Sequence, residues 1–282
     1  MLNIPRPAPF VLISSNHGTM IINRNDFRMV DANRGFGVGY RLMTRSTFDI
    51  GEINLALGLI NARRAFFGNG VTAIDCGANI GVHTVEWARL MHNWGRVIAF
   101  EAQEKIYYAL AGNVIINNCL NVTARWAAVG AACGTLDIPE PDYLIPSSFG
   151  SLELKKRDNT EFIGQEIDYS GAALRTIDVV TIDSLRLDRL DFMKIDVEGM
   201  EADVLNGARE SIAKFHPQMF IEVIKSDVGQ LRRILTDHGY QFFTVGMNIV
   251  AIHRGDPTLQ KVKFENGVLT LISDIPLPGT GP

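Results

Sequence analysis

The feature that most constrains this chain is an acid-and-glycine turn set directly after a short apolar run. Val71-Thr-Ala-Ile74 leads into Asp75, and Gly77 and Gly81 follow. Beyond them Val82, Val85, Ala88 and Met91 recur at three-residue steps, with Trp87 and Leu90 beside them. A buried strand that turns sharply into an amphipathic helix has this pattern. Glycine lets the backbone take positive φ and approach a ligand closely, and a helix start offers unpaired N–H groups. Asp75, at the carboxyl end of the strand, is an acceptor for a ligand's ammonium or hydroxyls. Several nucleotide-like ligands suit such a turn. A dinucleotide fingerprint wants three glycines spaced G-x-G-x-x-G, whereas Asn79 stands at the second glycine's place. A phosphate loop needs Gly-Lys-Ser/Thr, which the turn lacks. A cationic, phosphate-free nucleoside such as S-adenosylmethionine fits better. The bland alternative is a βα turn that binds nothing.

The rest of the composition bounds the class. With 282 residues, 46% of them hydrophobic, the chain suits one large α/β domain over 49–256. Residues 1–48 are expected to be an N-terminal extension or small β elements, and 257–282 a short C-terminal tail. Basic residues number 27 against 31 acidic ones, a net charge of −4, which gives no footprint for nucleic acid. Cys76, Cys119 and Cys133 show no CxxC pairing, so a reduced, cytoplasmic setting is expected rather than a disulfide scaffold. Residues 1–9 carry prolines and no basic-then-apolar signal pattern. No apolar run reaches the roughly 18 residues of a membrane span.

Taken in order, residues 1–12 read as a loose arm, 19–23 as a strand, and Gly35 to Tyr40 as a glycine-rich loop. A helix is expected from Asp49, its cap, to Arg64. Arg96 to Glu101 is a second buried strand ending in an acid, where nucleotide-binding α/β folds grip ribose hydroxyls. This placement does not separate NAD from S-adenosylmethionine. A helix over 103–117 and a strand over 122–129 follow. Residues 139–170, with Pro139, Pro141, Pro146, Ser147, Ser148 and Gly150, form the longest poorly patterned stretch. Long irregular segments tend to be functional or disordered, and this one is expected to be a substrate lid with few core contacts. Leu190 to Asp196 is a strand that runs into a tight turn at Gly199. One helix is expected through Val204, Leu205, Ala208 and Ile212, ended by His216-Pro217. A strand over 219–224, a helix over 228–238 and an antiparallel pair over 240–252 complete the pattern.

Asp75-Cys-Gly-Ala-Asn-Ile-Gly81, Phe100-Glu101, Met193-Lys-Ile-Asp-Val-Glu-Gly-Met-Glu201, Phe220-Ile-Glu222 and His238-Gly-Tyr240 together resemble the FkbM family of methyltransferases. The resemblance covers roughly residues 50–252, and Lys194 to Glu201 is its most specific part. It implies an α/β class I methyltransferase Rossmann-like fold. That fold has a mostly parallel seven-stranded sheet, an antiparallel last strand and helices on both faces. It also implies S-adenosylmethionine as donor and an oxygen acceptor on a sugar, a glycan or a natural product.

By that analogy Gly77 and Gly81 shape the turn around the methionine portion, Asp75 and Asn79 make polar contacts there, and Glu101 holds the ribose. Gln103 is counted with this donor-binding set. Asp196 and Glu198, at the end of a parallel strand, are the first candidates to orient or deprotonate the acceptor hydroxyl, with Glu222 as the alternative base. Glu201 reads equally well as a helix-start acid that complements the dipole. Three acids near one site could bind a divalent ion, but no ordered ligand set is readable and no metal is expected. His83 and His238 read as packing or helix-end residues. An NAD-dependent oxidoreductase and a catalytically silent binding domain are the competing readings, since fold does not dictate function.

Overall fold

Strands buried on both faces are continuously apolar and occupy the centre of a parallel sheet. The computed structural model describes residues 6–31, 34–171 and 174–272, and its main sheet is built on such runs. The chain opens with two antiparallel hairpins, β1 (Phe10–Ser15) with β2 (Gly18–Asn23), and the shorter β3 (Arg28–Met29) with β4 (Gly35–Phe36). Helices α1 (Val38–Arg45) and α2 (Ile50–Phe67) follow. Strict alternation then begins: β5 (Val71–Cys76), α3 (Val82–Leu90), β6 (Gly95–Glu101), α4 (Glu104–Ile116) and β7 (Val122–Trp126). β8 (Ala128–Val129), β9 (Gly134–Pro139) and β10 (Leu174–Val180) leave the main sheet for a three-stranded one. The chain returns through β11 (Phe192–Ile195), α5 (Glu201–Asn206), α6 (Arg209–Phe215) and β12 (Gln218–Glu222). It ends with α7 (Val228–Asp237), β13 (Tyr240–Val245), β14 (Asn248–His253) and the hairpin of β15 (Val262–Glu265) and β16 (Val268–Leu271).

The main sheet has seven strands in the order β13-β14-β12-β11-β5-β6-β7. β7, β6, β5, β11 and β12 are parallel, and β14 runs against both its neighbours. This is the seven-stranded class I methyltransferase arrangement expected from the sequence. Successive residues of one strand serve opposite faces. Phe192 and Phe220 pack with Trp87, Leu110 and Leu59, whereas Met193 and Ile221 pack with Val204, Leu205, Leu231 and Tyr240. Helices therefore cover both faces. The N-terminal hairpin is seated by the fully buried Asn113 of α4. Its Nδ2 donates to the carbonyls of Ile21 (3.1 Å) and Ile80 (2.8 Å), and its Oδ1 accepts from the Ile21 amide.

Several local expectations are corrected. The loose arm over 1–12 already holds β1 from Phe10; residues 1–5 lie outside the described residues. The glycine-rich loop at 35–40 is instead a short strand and the start of α1, whose Val38 and Leu42 are buried. Asp49 does not cap α2: its φ is 36° and its carboxylate pairs with Arg41 of α1. The single helix beyond Glu201 is two, α5 and α6. A Cβ on Gly207 would lie 2.1 Å from the Gly130 carbonyl oxygen, so a neighbouring backbone passes at the break. The stretch 139–170 is not poor in core contacts, because Ser147, Phe149, Leu152, Glu153 and Ile163 are all buried. The short tail from Pro257 adds to the fold up to residue 272; Leu269 joins the core beside α2, and residues 273–282 lie outside the described residues. Among the described residues no helix is long and apolar enough to cross a membrane.

Leu269 is 6% exposed and reaches the main core. Leu269→Ala is therefore expected to cost about 2 kcal/mol or more in urea unfolding. A loss within about 0.5 kcal/mol, the range of surface changes, would mean that the terminal hairpin adds nothing to the core.

Candidate active site

Parallel strands deliver their carboxyl ends to one edge, and ligands of α/β sheets gather there. A cavity of about 240 Å³ opens at that edge. One side is lined by the ends of β5 and β6, by Ala127 and β8, and by residues of the 148–154 stretch. The other is lined by the ends of β11 and β12, the β13–β14 turn, and residues of α1 and α2. Asp75, Gly77, Asn79, Glu101, Gln103, Asp196, Glu198 and Glu222 all line it. Gly81 does not; it caps α3 with φ 89°, and a Cβ there would meet Leu110 at 2.5 Å.

The turn after β5 is built by a close approach of two backbones. Gly77 has φ 78°, and a Cβ on it would lie 1.8 Å from the Asp196 carbonyl oxygen. The amides of Gly77 and Ala78 donate to the Phe100 carbonyl (3.0 and 2.8 Å), which holds the turn against β6. Asn79 takes φ 52°, and its Oδ1 accepts from the Ile80 amide at 2.7 Å, opening the helix. Asp75 is buried. Its Oδ2 accepts from Thr84 Oγ1 at 2.6 Å, while Oδ1 has no hydrogen-bond partner among the described residues. Burial raises its pKa, against the pull of the Lys194 ammonium. Glu101 receives the Asn79 amide on Oε2 (2.9 Å) and the Gln103 amide on Oε1 (2.8 Å). Burial nevertheless outweighs those bonds and pushes its pKa up to about 7. The Gln103 side chain is engaged elsewhere. Its Nε2 donates to the Phe149 carbonyl at 2.9 Å, which fastens the 148–154 wall to the end of β6.

Across the cavity three acids converge. Asp196, Glu198 and Glu222 each bring one carboxylate oxygen within 4.8 Å of the others. Lys194 Nζ donates to Asp196 Oδ2 at 2.6 Å and Lys225 Nζ to Glu198 Oε2 at 2.7 Å. The Glu222 carboxyl accepts no hydrogen bond from any described residue. Burial first, and the Asp196 charge second, raise the pKa values of Glu198 and Glu222 well above the ordinary glutamate range. A spacing of this kind is compatible with a cation, yet an ammonium already occupies one side of two of the three acids. Glu201 resolves to the bland reading. Fully buried, it accepts from the Val197 and Gly199 amides at 3.1 and 3.0 Å and from the Ser226 hydroxyl, bracing the turn. His83 is buried against Trp87 with Nδ1 unpartnered, and burial together with Lys194 holds its pKa well below the usual range.

Sequence reasoning missed the wall that faces the acids. Glu52 of α2, Asn248 of β14, Arg41 of α1, Phe36, Phe48 and Met247 line the cavity as well. Asn248 Nδ2 donates to Glu52 Oε1 at 2.8 Å across 196 positions of sequence. Glu52 stands in the first turn of a helix, where acids are common for dipole reasons, so no local signal marks it.

The sheet order, with a cavity at the carboxyl ends of its parallel strands, is that of the class I, Rossmann-like methyltransferase fold. The methyltransferase FkbM domain model matches residues 75–242, and the chain belongs to that family. Methyltransferase sdnD of Sordaria araneosa is 26% identical over 190 residues, covering 59% of this chain and 72% of the relative. Among solved structures, the methyltransferase FkbM of Methylobacillus flagellatus KT is similar at 18% identity, with a TM-score of 0.46 over 72% of this chain and 51% of that one. The chain thus spans about half the length of that protein. A precorrin-6y C5,15-methyltransferase of Geobacter metallireducens GS-15 is similar at 14% identity, with a TM-score of 0.41 over 74% of this chain and 89% of that one. Family membership implies S-adenosylmethionine as methyl donor. The residues present fit that donor: a buried carboxylate oxygen on Asp75, which lines the cavity, has no hydrogen-bond partner among the described residues.

Gly77→Ala combines a left-handed backbone with a clash against a main-chain oxygen that cannot swing away. It is expected to lower stability by about 2 kcal/mol or more, read as a fall in the thermal midpoint. An unchanged midpoint would mean that β5 and β11 part easily at this turn.

Proposed function

We propose that this chain transfers a methyl group from S-adenosylmethionine to a hydroxyl of a small-molecule or glycan acceptor, with Glu222 receiving the proton. The domain that does so spans residues 49–256, with part of 1–48 closing the acceptor side, in a cytoplasmic setting. S-adenosylmethionine, when bound, supplies an electrophilic methyl on a cationic sulfur. In this reading Asp75 Oδ1 takes the methionine ammonium, Gly77 and Asn79 shape the path around it, and Glu101 accepts from the two ribose hydroxyls. Ala102, Gln103, Ala127, Leu152 and Leu154 form a slot for the base.

The observation that carries the assignment is the contrast among the three acids. Asp196 and Glu198 are each engaged by a lysine, whereas Glu222 is bound by none. Asp196 and Glu198 therefore orient the acceptor, and Glu222 is left to move the proton. An ordinary carboxylate is a weak base for an alcohol, and efficiency improves as the base's pKa approaches the working pH. Burial and the neighbouring acids push Glu222 up to about 9, so it takes the proton only in its ionised form, which the positive charge of the bound donor's sulfur favours. As the acceptor oxygen bonds to the methyl carbon, the carbon–sulfur bond breaks, its electron pair stays on sulfur, and the hydroxyl proton passes to Glu222. Alignment of the three reacting atoms by the surrounding walls supplies the remainder.

Labelled donor with a panel of sugars, glycans and polyketide alcohols tests the reading. Glu222→Gln is expected to lower kcat by about 100-fold or more, with donor affinity retained. Wild-type turnover in that variant at saturating substrates would return the role to Asp196 or Glu198, to be tested as Asp196→Asn and Glu198→Gln.

Glu101 yields a pH dependence. Its ionised carboxylate accepts hydrogen bonds from the ribose hydroxyls, and protonation weakens that acceptance. With a pKa near 7, affinity for S-adenosylhomocysteine should climb as pH rises from about 6 to about 8 and level off above. Glu101→Gln should weaken binding by about tenfold or more and flatten the profile in calorimetry. A pH-independent wild type would remove Glu101 from the ribose site.

A further inference from the structure

The acceptor side of the cavity has a chemical bias that a neutral alcohol does not use. Its two cations are already matched, Arg41 by Asp49 and Lys194 by Asp196. Glu52 and Glu222 have no counter-ion in contact with them. Asn248 stands between the two. It is the register partner of Glu222 across β12 and β14, which puts both side chains on one face of the sheet. Its Nδ2 is spent on Glu52. Its Oδ1, on a side chain 6% exposed and lining the cavity, accepts no hydrogen bond from any described residue. Glu52, Asn248 Oδ1 and Glu222 therefore present acceptors in excess. A hydroxyl brings one donor proton. An ammonium brings three, together with a positive charge. Phe36 and Met247 at the mouth, 51% and 61% exposed, and Phe48 beside them add an apolar surface for the rest of such a molecule.

We propose that the acceptor carries a basic amine on an apolar body, and that Glu52 and Asn248 Oδ1 bind this amine as its ammonium. The inference rests on the methyl-transfer reading and names the acceptor class of the same cavity. The amine is an anchor and not the methylated atom; the hydroxyl beside it points to Glu222. An ammonium at Glu52 also favours the ionised form of Glu222 nearby, which readies that carboxyl to take a proton. A divalent cation is the rival occupant. It is disfavoured because the Lys194 ammonium is seated on Asp196 and the Lys225 ammonium on Glu198. Glu52 and Asn248 both lie outside residues 75–242, so this preference belongs to the part of the chain beyond the family's matched segment.

Matched probes test the proposal. Binding of 2-amino-1-phenylethanol and of its N-acetyl form is measured by calorimetry at neutral pH with S-adenosylhomocysteine present, alongside MgCl2 and CaCl2 alone. The amine is expected to bind at least about tenfold more tightly than the amide, the worth of one charged hydrogen bond. In Glu52→Gln that gap should shrink to about threefold or less while affinity for S-adenosylhomocysteine is kept; Asn248→Leu serves as a second variant if the first fails to fold. Equal binding of the two probes, no binding of the amine, or a gap that survives in the variants overturns the proposal. So does binding of Mg2+ or Ca2+ alone that Glu52→Gln weakens. Methyl transfer to neutral alcohols but not to amino alcohols would overturn it and leave the methyltransferase reading standing. Failure of S-adenosylhomocysteine to bind would strike the donor site instead.

Discussion

A buried ammonium holds the floor of the cavity together. Lys194 sits on β11, the strand flanked by β5 and β12, and is only 7% exposed. Asp75 is its register partner on one side, Asp196 is bonded to its Nζ, and Glu222 lies within its field. Burial works against its charge, yet Asp196 and Asp75 outweigh burial and raise its pKa. The dependence is mutual. Carboxylates crowded at strand ends repel one another, and a charge left buried without a partner is costly. With Lys194 in place, the strands can deliver their acids to one edge without forcing them apart. The β5 side and the β12 side of the cavity share this one cation, so the two halves are joined electrostatically as well as through the sheet.

Much of the frame was legible before any coordinates. β5, β6, β11 and β12 announce themselves because a strand buried on both faces must be apolar almost throughout, and each has an acid at or within one residue of its carboxyl end. The turn at Gly77 was legible for a similar reason: the approach of the Asp196 carbonyl leaves no room for a side chain. These are local demands written in adjacent residues. What the sequence hid depends on distant partners. α5 and α6 separate at Gly207 because the Gly130 backbone lies against it, and within residues 201–215 only that glycine hints at the neighbour. Asp49 looked like a cap but serves Arg41. The prolines and serines of 139–170 suggested looseness, whereas Phe149 and Leu152 anchor the stretch in the interior.

The candidate site divides along the same line. Asp75, Gly77, Asn79, Glu101, Asp196 and Glu198 belong to compact motifs at strand ends, and the fold brings them to one cavity. Glu52 and Asn248 come from a helix before the central strands and a strand after them. Their side chains meet only because β14 is inserted, reversed, beside β12. A sequence motif records what one turn needs. It does not record which remote helix completes the opposite wall.

The buried carboxyl of Asp26 has a consequence of its own. Its Oδ2 accepts from the Gly39 amide of α1 at 2.8 Å, and its Oδ1 from the Phe149 amide at 3.1 Å. One oxygen thus fastens α1, and the other fastens the 148–154 wall across the cavity from it. Asp26 acts as a ruler across the mouth, setting the span between the two from a position behind the cavity lining. Exchange of N-terminal segments between relatives of this chain is then not a matter of the lining residues alone. A graft that imports a new α1 with its own preference for acceptors must also import a tether of the same length, or the opening it carries will be cut to the wrong width.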